Sequence, residues 1–66
     1  MTRFEKDLQT AKRDPSLGTV ILRERKAELD RLWKQGKAEK NGFRIQCIAQ
    51  EYARLEAQYI EIAEWV

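Results

Sequence analysis

Apolar residues recur along the last third of the chain at alternating spacings of three and four: Ile45, Ile48, Tyr52, Leu55, Tyr59, Ile62 and Val66. This is a heptad seam held over three repeats, the pattern of a helix that packs one face on another helix. At roughly 100° per residue, a second apolar flank of Ala49, Ala53, Ala57, Ile60 and Ala63 lies beside the seam. Together they cover more than half of the circumference, wider than the stripe of a helix at the edge of a small monomer. The pattern predicts a helix over about 43–65 that is covered on two sides. One cover is its own second helix, and the other is helix 1 or the same helix of a second copy.

Two further helices precede it. Thr2-Arg3-Phe4-Glu5 fits a capping box, and Phe4, Leu8 and Ala11 follow at i, i+4 and i+7, which gives a short amphipathic helix over about 3–13. Asp14-Pro15 ends it, because proline disfavours helical geometry in the residue before it. The same pair opens the next helix, with Asp14 as cap and Pro15 at the first position. That helix is expected over about 15–37, with its stripe at Ile21, Leu22, Leu29, Leu32, Trp33 and Gly36. Asn41-Gly42 is the clearest stop, since both residues tolerate left-handed geometry, and a stop at Gly36 is the competing choice.

The fold class is therefore all-α, a single domain over 1–66: a short first helix and a long antiparallel helical hairpin that dimerises into a bundle. Folding the hairpin about residues 40–41 levels Gly36 with Ile45, Leu32 with Ala49, Leu29 with Tyr52 and Leu22 with Tyr59. It also levels Arg25, in the middle of the second helix's stripe, with Glu56, between the seam and the flank of the third. An Arg25–Glu56 ion pair is the expectation, within one chain or between two, because a charge in an apolar stripe must be paired or must snorkel to water. In outline the arrangement resembles small dimeric helical hairpins such as the Rop family, in architecture alone, with no Rop motif matched and no RNA binding implied.

The stretch Ile48–Leu55, IAQEYARL, resembles the opening helix of a bacterial helix-turn-helix DNA reader. Such a motif turns near Ala53–Leu55, usually at a glycine. Here Ala53-Arg54-Leu55-Glu56-Ala57 are helix formers, and the seam runs through them in phase. One packing helix is the better reading of these letters.

Size sharpens the expectation of a second copy. A chain of 66 residues buries only ~60% of its unfolded surface and is marginal alone. Small domains gain stability from disulfides, a metal, dense helix packing or oligomerisation. Cys47 is the only cysteine and there is no histidine, so neither an internal disulfide nor a zinc site is available. No apolar run approaches the ~20 residues of a membrane span. The acid-interrupted start MTRFEKDLQ lacks the apolar core of a signal peptide, and a cytoplasmic setting is the expectation.

The formal net charge is +2, but it is unevenly spread. Residues 1–44 carry twelve Lys and Arg against seven Asp and Glu, whereas residues 45–66 carry Arg54 against Glu51, Glu56, Glu61 and Glu64. The basic front offers a phosphate-binding stripe, which makes a small DNA- or RNA-binding regulator the alternative function. Its acids are interleaved, however, and Lys26–Asp30 and Asp30–Lys34 are ordinary i,i+4 pairs of a solvated helix.

Catalysis needs a nucleophile, base or metal held by partners. Ser16 is explained by capping, and Cys47 lies away from the seam as a structural thiol. No enzyme activity and no cofactor are expected. Trp33, Trp65, Phe43 and Arg44 are the candidate partner contacts, since aromatic and arginine side chains anchor protein interfaces. The leading expectation is a small protein-interaction module, a dimeric inhibitor or modulator of a host regulatory protein or enzyme. Small phage and mobile-element proteins supply the analogy, at the level of size and fold only.

Overall fold

The computed structural model describes all residues from Met1 to Val66. It is entirely helical, with α1 at Arg3–Arg13, α2 at Pro15–Ala38 and α3 at Gly42–Ala63. Each start is set by a side chain that satisfies free backbone N–H groups. Thr2 Oγ1 accepts from the Glu5 N–H at 3.2 Å and donates to the Glu5 carboxylate at 3.1 Å. Asp14 accepts both the N–H (3.1 Å) and the hydroxyl (2.6 Å) of Ser16. Asn41 Oδ1 accepts from the N–H groups of Phe43 and Arg44 at 3.0 and 3.2 Å.

Asn41-Gly42 thus works differently from the expectation. No residue has a positive φ. Asn41 is the N-cap of α3, and Gly42 is already its first residue. The stop of α2 is Glu39, in extended geometry, whose N–H reaches back to the Gln35 carbonyl. The reason is chemical: an Asn side chain capping two orphan donors competes well with a left-handed C-cap.

Contacts between α2 and α3 run in opposite chain order. Trp33 meets Tyr52, with ring centroids 6.2 Å apart, Arg25 meets Gln58, and Gly18 lies against Val66. Contacts between α1 and α2 also run in opposite order, from Arg3–Glu28 through Asp7–Arg25 to Ala11–Gly18. The single residue Asp14 between the two helices leaves no other short route back.

The level pairs differ from those expected. Gly36 lies level with Ile48 rather than Ile45, and Arg25 reaches Gln58 rather than Glu56. The offset follows from side-chain direction. Every Cα–Cβ bond tilts toward its helix N-terminus, away from the turn on α2 and toward it on α3. Each tilt displaces the contact by about one residue, so partners lie further along α3 than backbone symmetry suggests.

At 11 residues, or roughly 16 Å, α1 spans less than half of a molecule 42 Å long. The buried residues are Ala11, Gly18, Arg25, Leu29 and Ile62. Most of them lie at the end that α1 covers. The other end, from about Leu29 to the turn, consists of two helices only.

Candidate interaction surface

α1 lies on the Arg54–Gln58 side of α3, where Arg3, Phe4, Arg25, Arg54 and Gln58 line one shallow recess. The opposite side of α3 is the alanine flank, which is open from Ala49 to Ile60 and half-buried only at Ala63. Ala49, Ala53 and Ala57 are exposed, and Ile60 is 56% exposed. The seam itself points inward from Ile48 to Ile62: Ile48, Tyr52, Leu55 and Tyr59 are half-buried and Ile62 is fully buried, while Val66 at its end is exposed. Ile45, the first seam residue, lies on the open side at 39% exposure.

α2 extends the open face. Trp33 is 56% exposed, leans on Tyr52, and carries the Lys37 ammonium 5.3 Å above its indole. Between the helices, a cleft of about 320 Å³ is bounded by Leu32, Trp33, Gly36, Ile45, Ala49 and Tyr52. Apolar floor, aromatic wall and basic rim are the ingredients of a protein-docking surface. The remaining candidate contacts sit elsewhere. Phe43 (75% exposed) and Arg44 are at the α2–α3 turn. Trp65, at the far end, is held by Lys12, whose Nζ is 4.8 Å from the ring centroid. Cys47 is exposed and faces away from the alanine flank.

The predicted Arg25–Glu56 pair does not form within the chain. Arg25 is 3% exposed and gives Nε (3.1 Å) and Nη2 (2.8 Å) to one oxygen of Asp7, and Nη1 (3.0 Å) to Gln58 Oε1. The Phe4 ring lies 5.9 Å from its Cζ. One guanidinium therefore ties together all three helices, with no buried side-chain polar atom left unpaired. Glu56 is exposed. A signal for the true partner was present: Asp7 falls between Phe4 and Ala11 in the apolar stripe of α1, an acid as misplaced as Arg25 is in α2.

A second pair closes the far end of α1, where Arg3 Nη2 donates to Glu28 Oε1 at 2.6 Å. This bond raises the Arg3 pKa and holds the Glu28 carboxyl below its ordinary 4.5. The Ser16 hydroxyl and N–H similarly hold the Asp14 carboxyl below its usual value.

α3 runs without a break through Ala53–Leu55, where a helix-turn-helix would turn. No three metal-binding side chains converge anywhere in the molecule, and no helix is long and apolar enough to cross a membrane. No protein-family model matches the chain, and neither does any curated protein or solved structure.

Proposed function

We propose that this chain is a small non-enzymatic protein-interaction module. In this reading α2 and α3 are an antiparallel hairpin braced at one end by α1, and the module acts through helix-on-helix contacts. It associates with itself and modulates a target protein in the cytoplasm, as an inhibitor or regulator of phage or mobile-element type.

One observation carries the reading: Trp33, Ile45, Ala49, Ala53 and Ile60 leave a connected apolar face open on the side opposite α1. Water-exposed apolar area of this kind is stabilised by covering it, and a helix laid along the hairpin is the shape that does so. The phosphate-binding alternative draws less support, because several cations are already engaged within the molecule. Arg3 and Arg25 are held by carboxylates, and Lys12 and Lys37 lie over indoles.

The test compares the native chain with Trp33→Ala as bait in nuclease-treated lysate, alongside duplex DNA binding at low and physiological salt. A protein retained stoichiometrically by the self-associated native chain, and lost with Trp33→Ala because that change weakens self-association, is the expected outcome. Tight duplex binding that weakens steeply with salt, with no protein retained, contradicts it.

A further inference from the structure

We infer that the occupant of the open face is a second copy of this chain, with the two α3 helices crossing in opposite directions near Ala53. The inference rests on the reading of the chain as an interaction module and names which partner takes which face.

Surface area is the first argument. The chain exposes 5015 Å², whereas a compact monomer of its 7.8 kDa mass exposes about 4,400 Å². The excess of roughly 600 Å² approaches the ~800 Å² per partner that a standard interface removes. Shape agrees. The radius of gyration is 13.3 Å, against about 11 Å for a compact domain of 66 residues. Two such rods side by side approach the ~14 Å of a compact assembly twice the length. The chain is long and thin by the amount that a lateral partner corrects.

Charge chooses the partner and its direction. Toward the α2–α3 turn the molecule is basic, with Arg31, Lys34, Lys37, Lys40 and Arg44 against Glu39 and Glu51. The last three turns of α3 are acidic, with Glu56, Glu61 and Glu64 against Arg54. A copy running in the same direction stacks Glu56 on Glu56 and Lys37 on Lys37, which opposes association. A copy running in the opposite direction lays the acidic end of each α3 along the basic end of its partner. Centred on Ala53, this places Ala49 beside Ala57 of the other copy, brings Glu56 level with Gln50, and carries Ile60 toward the Ile45–Trp33 cleft. The small side chains at 49, 53 and 57 let the two backbones approach. α1, Phe43 and Trp65 remain outside the contact, free for a different partner.

Disulfide trapping tests both identity and direction. Cys47 faces away from the interface, so Cys47→Ser provides a silent background. Two variants are made on it, Ala49→Cys and Ala57→Cys, with tags of different size. Oxidation after mixing is expected to give the mixed product, which joins position 49 of one copy to position 57 of the other, at least tenfold above either self-linked product. Like positions are disfavoured because they lie about 12 Å apart along the axis. Self-linked products from each variant alone would overturn the direction. A chain that sediments as a monomer at all concentrations and traps no disulfide overturns the second copy as occupant, while the bait comparison above still decides whether the face binds another protein. As a further arm, Ala53→Arg is expected to weaken self-association a hundredfold or more.

Discussion

Arg25 joins three helices through one side chain, and its removal or isolation is the sharpest test at the residue scale. Breaking a buried pair by deleting one member leaves a desolvated charge, at a cost of ~3–5 kcal/mol. Asp7 is 20% exposed, so Asp7→Ala is expected near the lower end, about 3 kcal/mol, in urea unfolding. Glu56→Ala, at a position exposed in the single chain, is expected to stay within about 0.5 kcal/mol at concentrations too low for self-association. The reverse order would place Arg25 on the wrong partner. That Arg25 needs a partner was legible in the sequence, because a charge interrupts an apolar stripe. Asp7, an acid in the stripe of α1, was the one signal of which partner; the side on which α1 docks was not legible, because no periodicity within one helix states it.

Arg3–Glu28 gives a pH signature at the same scale. Glu28 has its pKa lowered when folded, so its contribution is fully present above the unfolded value of about 4.5. It is lost as pH falls through the lower folded value. Both partners are partly exposed, and the effect is correspondingly modest. The stability difference between the native chain and Glu28→Gln is expected to be constant above about pH 5 and to shrink toward zero in acid. A difference that grows on acidification contradicts the assignment.

At the scale of elements, two helix starts are written plainly in the chain, at Thr2 and at Asp14-Pro15, whereas Asn41, expected as part of a stop, caps the start of α3. The contacts of α2 with α3 fall two to four residues further along α3 than the sequence pattern places them. The offset arises because side chains lean along the helix axis instead of standing perpendicular to it. The glycines separate two kinds of contact within α2. A Cβ at Gly18 would lie 2.7 Å from Val66 Cγ2 and 3.1 Å from Ala11 Cβ, whereas one at Gly36 would meet only Ile48, at an ordinary 3.5 Å. Replacing Gly by Ala in a helix gains up to about 1 kcal/mol of propensity, and overpacking costs about 1–3 kcal/mol. Gly18→Ala is therefore expected to lower the unfolding free energy by about 1 kcal/mol and Gly36→Ala to raise it by a similar amount. Thermal melts of the two variants showing the same sign would remove Gly18 as the point where α1, α2 and the C-terminus meet.

At the scale of the whole molecule, the interior holds only Ala11, Leu29 and Ile62 as buried hydrophobic residues, a thin core for 66 residues. The sequence announced this shortage through a helix whose apolar arc is too wide for one neighbour. Its two flanks were legible from the wheel of α3. What was not legible is that α1 sits on the Arg54–Gln58 side, leaving Ala49, Ala53, Ala57 and Ile60 exposed. A chain whose stability depends on covering that flank should melt higher as concentration rises, by mass action.

The most direct test of the open face as an interface is sedimentation equilibrium of the native chain across the micromolar range, read beside its thermal melt. The expected result is a reversible shift from 7.8 kDa toward twice that mass, with the melting temperature rising in step. A chain that stays at 7.8 kDa and melts at one temperature, whatever its concentration, would contradict it.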